Sequence, residues 1–295
     1  MPPAGTRLDL LDPWEVAQLG GVEIAAAGVV EGFLAGLHRS PFRGFSVEFT
    51  EHRAYQPGDE LRYLDWRILG RTDRPYVKQF EEETNLRAMV LVDVSRSMAW
   101  AGAPHRLTKR AYADRLAAAL ALLLLRQRDA TGLVTFDEVV RQGVPPRVKS
   151  GQWARIVRAL LDTPVGQGTA AAEALRQVTA RLARRGLVIL ISDLLFDRDL
   201  ALTALRYLRH RGHQVIVLHL MDPAEVELAG PPEVRYRDLE SSGTVVVRPR
   251  ELARTYRDTV HREIAAWRSA CRRHDIAYHH VTTDQPFGLA LRRLS

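Results

Sequence analysis

The chain has 295 residues, of which 46% are hydrophobic and 26% charged, a balance that excludes disorder throughout and leaves room for about two domains with a substantial core. A formal charge of +7 raises the question of nucleic acid, but the cations are almost all arginine, with only Lys78, Lys109 and Lys149 as lysines. They are spread along the chain without an aromatic-interleaved basic motif, so no specific nucleic-acid site is expected.

The longest apolar runs do not read as membrane spans. Leu116–Leu125 is too short, and Gly21–Leu37 is interrupted by Glu23 and Glu31. The N-terminus carries acidic residues and Pro13 where a signal peptide needs a continuous apolar centre, so a cytoplasmic protein is expected. Cys271 is the sole cysteine, which excludes an intrachain disulfide. It shares a helical stripe with Tyr256, Val260, Ile264 and Trp267 and reads as core.

In chain order, residues 1–85 lack a dominant period. One or two helical segments precede Leu37, and His38–Glu83 is dense in Arg, Gly, aromatic and acidic residues. This part is expected to form a small α+β module packed against the rest. From residue 86 to 295 strands alternate with helices: strand Leu86–Asp93, helix His105–Asp129, strand Gly132–Val140, helices Gln152–Asp162 and Ala170–Arg185, and the wholly apolar strand Leu187–Asp193. Helix Leu200–Gly212 and strand Gln214–Leu220 follow. Val234–Glu240 and Thr244–Pro249 flank Ser-Ser-Gly and predict a hairpin inserted at about residues 232–249. A helix from Glu251 to about His274 and strand Ile276–Thr283 complete an α/β fold with a doubly wound, mostly parallel sheet.

One strand poses a chemical question. Met89–Val92 runs into Asp93, with Ser95 and Ser97 at alternate positions behind it. Ligand sites of open α/β sheets lie at the carboxyl ends of the strands, and one carboxylate with two hydroxyls is a hard oxygen set suited to Mg²⁺ or Mn²⁺. The plain alternative is that Ser95 or Ser97 caps a helix. Two further segments add to the cluster: Thr169 begins a helix after Gly168, and Asp193 ends another buried strand. In a parallel sheet Asp93, Ser95, Ser97, Thr169 and Asp193 are expected to converge on one edge.

The series Asp-Val-Ser-Arg-Ser-Met at 93–98, Gly-Gln-Gly-Thr at 166–169 and Ile-Ser-Asp at 191–193 resembles the metal-ion-dependent adhesion site of von Willebrand factor A domains. The resemblance implies Ser95, Ser97 and Thr169 as hydroxyl ligands, with Asp93 and Asp193 acting largely through water. Upstream, His38, Ser40, Arg43, Gly44, Glu48, Phe49, Arg53, Tyr55, Pro57, Gly58, Asp59, Arg62, Asp65 and Trp66 resemble the signature of the "domain of unknown function 58" family, which precedes a von Willebrand A-like domain. Departures are Gly70, where that family often has Ala, and the lack of the membrane span that some of its members carry.

Within the signature, Gln-Pro-Gly-Asp at 56–59 reads as a turn and Trp66 as a buried anchor, with Arg53, Asp59, Arg62 and Asp65 available for charge-assisted bonds. The alternative is a docking surface. The resemblance implies a non-enzymatic adaptor that offers its ion to an acidic side chain of a partner protein and works with a MoxR-type AAA+ ATPase in protein assembly or maturation.

The rival class is a Mg²⁺-dependent phosphohydrolase. Enzymes with an aspartyl nucleophile place a general acid two residues on, and here that position is Ser95. The loop at 166–169 lacks a P-loop lysine. His279 and His280 are adjacent on a strand and face opposite ways, and His219 reads as a hydrogen-bonded core histidine.

Overall fold

The structure, a computed structural model, describes residues 8–35, 48–56, 64–72, 74–81, 86–166, 171–182, 185–228, 233–237 and 243–293. Contacts divide the chain into two compact units: Met1–Pro41 with Arg87–Ser295, and Phe42–Leu86. This differs from the expected boundary at residue 85. A 3₁₀ turn at Leu8–Leu10, helix α1 (Pro13–Gln18) and helix α2 (Val22–Ala35) fold with the larger unit. Val22, Ala25, Ala26, Val29, Val30 and Phe33 recur at helical spacing along α2 and are all buried. An apolar stripe of that length has to be covered, and a helix of the larger unit covers it.

The smaller unit contains β1 (Glu48–Ala54), helix α3 (Trp66–Thr72) and β2 (Tyr76–Glu81). The two strands pair antiparallel with a register shift between Phe49 and Glu51. Asp65 begins α3 as a cap, its Oδ1 accepting the backbone N–H of Arg67 at 2.9 Å and of Ile68 at 3.2 Å.

The larger unit is built on β3 (Arg87–Asp93), β4 (Ala130–Phe136), β5 (Val140–Arg147), β6 (Leu187–Ser192), β7 (Gln214–Met221) and, after a separate antiparallel pair β8 (Val234–Arg237) and β9 (Thr244–Val247), β10 (Ala277–Thr282). The sheet order is β10-β7-β6-β3-β4-β5, parallel throughout except for the outermost strand β5. The segment Gly132–Val140, expected as one strand, is instead a strand end and a reversal. Asp137 Oδ1 accepts the N–H of Val139 at 3.1 Å, and the Asp137 N–H donates to the Val139 carbonyl at 3.0 Å. Aspartate bonding its own backbone two residues on makes a turn, and the chain returns antiparallel.

Helices cover both sheet faces. Helix α4 (Lys109–Arg126) packs on β3, β4, β6 and β7 and is itself flanked by α2 and α5 (Gln152–Asp162). A helix with neighbours on several sides is apolar on several sides, which is why Leu116–Leu125 is nearly continuous. On the other face α6 (Ala171–Arg181), α7 (Arg198–His210) and, beyond the four-residue helix α8 (Pro223–Val226), α9 (Pro249–Arg273) close over Met89, Leu91, Val188, Leu190, Val215 and Val217. Cys271 and Trp267 belong to that core, as their stripe implied. The C-terminal helix α10 (Phe287–Arg292) was not expected. Phe287 stacks on Tyr112 of α4 with ring centroids 4.6 Å apart. No helix among the described residues is long and apolar enough to cross a membrane.

If α2 is part of this core, Phe33→Ala, at a side chain with no exposed surface, is expected to cost about 3–5 kcal/mol in chemical denaturation of the α/β unit. A loss below about 1 kcal/mol would detach α2 from it.

Candidate functional site

Strand β3 is the point where the winding changes side. The chain leaves it through α4 to β4 on one flank and later returns to β6 on the other, so the switch point, where open α/β sheets place their ligands, lies at the carboxyl ends of β3 and β6. That edge carries a row of buried carboxylates. Asp93 ends β3, Asp137 follows β4, Asp193 follows β6 and Asp222 follows β7, with exposures of 0, 0, 2 and 0%. A buried carboxylate is costly without compensating partners, and three of the four have a cation. Arg141 bonds Asp137 through two nitrogens at 2.8 and 2.5 Å, Lys109 Nζ lies 2.7 Å from Asp193 Oδ2, and Arg106 Nη1 lies 2.6 Å from Asp222 Oδ1.

Asp93 is different. Its Oδ1 accepts the Ser95 N–H at 2.9 Å and its Oδ2 accepts the Ser192 hydroxyl at 2.6 Å, and no cation pairs with it among the described residues. Burial and the nearby Asp193 charge together push its carboxyl up to about 6, against the opposing pull of those hydrogen bonds. The Ser95 and Ser97 hydroxyl oxygens stand 3.2 Å apart and are buried, on the 3₁₀ turn Arg96–Ala99 and the residue that opens it. The turn is therefore capped in sequence terms by Ser95, but Ser95 makes no side-chain cap bond. Its oxygen faces Ser97 instead.

Of the expected cluster, Asp93, Ser95, Ser97 and Asp193 are described at this edge, and Thr169 lies outside the described residues. Approaching that loop, the Gly166 N–H donates to the Val94 carbonyl at 2.6 Å, beside Asp93. A Cβ on Gly166 would fall 2.0 Å from Asp137 Oδ2, so only glycine permits this approach. Asp193 has a cationic partner as well, which the sequence did not indicate. Lys109, the first residue of α4 and wholly buried, bridges it to Glu225 of α8, with Nζ 2.5 Å from Glu225 Oε1. Burial opposes the lysine's charge, but Asp193 and Glu225 outweigh it and hold the ammonium above its ordinary range. Glu225 Oε2 in turn accepts the Asp222 N–H at 2.8 Å, while Asp222 also accepts from Gly102 N–H at 3.0 Å and Thr283 Oγ1 at 3.2 Å.

Lys109, Ser192, Asp222, Glu225 and Arg106 are the site residues that sequence reasoning missed. A signal for Lys109 existed: Lys109 and Arg110 sit in the first turn of a helix, the end where the macrodipole disfavours cations. His219 is the core histidine expected, its Nδ1 2.6 Å from the Tyr278 hydroxyl, and burial drives its pKa down to about 3.

Of the upstream signature, Gly58, Asp59 and Arg62 lie outside the described residues, as does the Arg53 side chain; Tyr55 donates its N–H to the Pro75 carbonyl at 3.0 Å. Asp65 is the cap of α3. Trp66 is 65% exposed, which corrects the expected buried anchor: as the first residue of a seven-residue helix it stands on a surface turn.

A family model described as "Protein of unknown function DUF58" matches residues 51–269. The chain belongs to the DUF58 family. Over 278 residues this DUF58 protein is 31% identical to the uncharacterized protein Rv1480 of Mycobacterium tuberculosis and, equally, to the uncharacterized protein Mb1516 of Mycobacterium bovis, covering 91% of this chain and 83% of each relative. It is also similar to the crystal structure of the conserved hypothetical protein BatB from Bacteroides thetaiotaomicron (TM-score 0.46, 16% identity, 71% of this chain and 96% of that one). A second similar structure is an aerotolerance-related membrane protein from Bacteroides fragilis (TM-score 0.48, 17% identity, 70% and 97%).

The Asp93 environment sets a pH dependence for the DUF58 protein in chelator. With its folded pKa raised from 3.8 to about 6, Asp93 is protonated more readily in the folded chain than in the unfolded one. The stability this gives is complete below about pH 4 and is lost as pH rises through about 6, an effect on the order of 2–3 kcal/mol. Asp93→Asn is expected to abolish that share of the pH slope in urea titrations and to be more stable than the parent at pH 7.5 without metal. A variant with the parental slope would place the titration elsewhere.

Proposed function

We propose that this chain is a non-enzymatic adaptor whose sheet edge holds a divalent ion and, through it, an acidic side chain of a partner protein. The observation that carries this reading is Asp93: a fully buried carboxylate, without a cation among the described residues, beside two hydroxyl oxygens that face each other. Two oxygens in neighbouring positions of an octahedral Mg²⁺ shell, each at about 2.0–2.1 Å, stand about 3 Å apart. Ser95 Oγ and Ser97 Oγ, at 3.2 Å, fit that spacing.

Among the described residues no three of His, Cys, Asp or Glu are grouped to hold a metal ion. A site here therefore relies on hydroxyls, which suits Mg²⁺ or Mn²⁺ and not zinc. Ser95 and Ser97 are the direct ligands in this reading, with Asp93 anchoring the turn and supplying charge. Thr169, three positions beyond Gly166, is the third hydroxyl, and Asp193, held by Lys109, acts through water. So read, the site resembles a von Willebrand A-like adhesion site, a reading supported by the mostly parallel sheet and by the place of Asp93, Ser95, Ser97 and Asp193 at its switch point.

The ion supplies a Lewis-acidic position for a carboxylate. Neutral hydroxyl ligands leave it most of its positive charge, so an Asp or Glu of a partner is the group that completes the shell. The family resemblance supports a MoxR-type AAA+ ATPase as co-worker, in the cytoplasm, in the assembly or maturation of other proteins.

Thermal unfolding tests the ion first. Mg²⁺ at a hundred times its dissociation constant is expected to stabilise the parent by about 2.7 kcal/mol, and Ser95→Ala or Thr169→Ala to lose that gain while folding normally in chelator. Partner capture is expected to require Mg²⁺ and to fail with the same variants. Turnover of a generic phosphomonoester that vanishes in Asp93→Ala would replace the adaptor with a phosphohydrolase.

A further inference from the structure

The buried lysine at the start of α4 holds Asp193 in the adhesion-site reading, and its charge bears on the ion as well. Lys109 Nζ sits between Asp193 Oδ2 at 2.7 Å and Glu225 Oε1 at 2.5 Å with its side chain wholly out of solvent. Asp222 and Arg106 form a balanced pair next to it, and Asp137 is balanced by Arg141. Among the described residues, these contacts set the three carboxylates Asp93, Asp193 and Glu225 beside the ammonium of Lys109 at the carboxyl ends of β3 and β6. Within this group of four the sum is two negative charges, the number a divalent cation neutralises.

We infer that Lys109 is the residue that sets this site's affinity for its ion: it neutralises part of the local negative charge and holds Asp193 back from direct coordination. The inference rests on the proposed ion site. It differs from a purely structural role for the same contact, in which Lys109 only fastens α4 to the end of β6 and to α8. Arg would not serve as well: an ammonium on a flexible stem is a compact charge with three donors that two carboxylates from different directions can share, whereas a guanidinium is a planar fork.

The two readings separate because the ion pair can be broken from either side. Lys109→Met removes a positive charge from this edge, and Glu225→Gln removes a negative one. Both break the Lys109–Glu225 contact, so both lose some stability in chelator. Their effects on the ion are opposite in sign. A unit charge at this range in a partly dry site changes cation affinity by about tenfold or more.

Mn²⁺ binding, measured from the free-ion signal in electron paramagnetic resonance, is therefore expected to be about tenfold tighter in Lys109→Met and about three- to tenfold weaker in Glu225→Gln than in the parent. Thermal unfolding is expected to agree, with added Mn²⁺ raising the midpoint of Lys109→Met more than that of the parent. If both variants bind Mn²⁺ like the parent, or both change in the same direction, Lys109 is a structural clamp and the inference is overturned. If Lys109→Met does not fold even in Mn²⁺, Glu225→Gln decides: weaker binding supports the inference, and unchanged or tighter binding overturns it. A parent chain that binds no Mn²⁺ would instead overturn the ion site itself, a result distinct from either variant's behaviour.

Discussion

The arrangement of this molecule follows from one electrostatic constraint: four carboxylates are buried along one edge of a sheet, and each needs its charge answered. Arg141 answers Asp137, Arg106 answers Asp222, and the first turn of α4 answers Asp193. Thr108 caps the helix by accepting the Ala111 N–H at 3.0 Å, Lys109 reaches Asp193 and Glu225, and Arg110 reaches the Leu160 and Thr163 carbonyls at 2.7 and 3.0 Å, closing the end of α5. Two consecutive cations thus fix the helix to β6 and α8 on one side and to α5 on the other. The cost of cations at a helix N-terminus, typically about 0.3–1 kcal/mol, is small beside that of leaving Asp193 buried and unpaired. Asp93 is the carboxylate this scheme leaves out, which gives the edge its chemical character.

Most of the fold was legible where a residue pattern has one physical solution. Leu187–Ser192 is apolar at every position and buried at every position, as a strand covered on both faces must be. The stripe through Trp267 and Cys271 is core because a helix buries one face. The reversal at Asp137 was hidden because Val139 and Val140 extend the apolar run of β4, and a turn made by one aspartate bonding its own backbone leaves little trace in composition. The coverage of α4 by α2 crosses a long sequence interval, and no local period reports a partner that distant.

The site was legible in part. Strand-end aspartates and the alternate serines announce themselves by position, whereas Lys109 and Glu225 are ordinary helix residues until the fold brings them to Asp193. The scarcity of lysine, three among 42 basic residues, together with its place against the helix dipole, was the available clue. Trp66 was misjudged by residue type: large aromatics favour burial on average, but the first position of a short helix in a small unit offers little to bury one against.

The outermost strand has a consequence of its own. β5 turns antiparallel to the rest, carries register shifts against β4, and ends in Val-Pro-Pro-Arg, so Pro145 and Pro146 present no amide hydrogens along the open side. An exposed strand ordinarily invites another chain to extend the sheet, and prolines, arginines and irregular pairing remove that invitation. Backbone-to-backbone recruitment is thus disfavoured at the proline end of this strand, where a partner would have to be recognised by side chains.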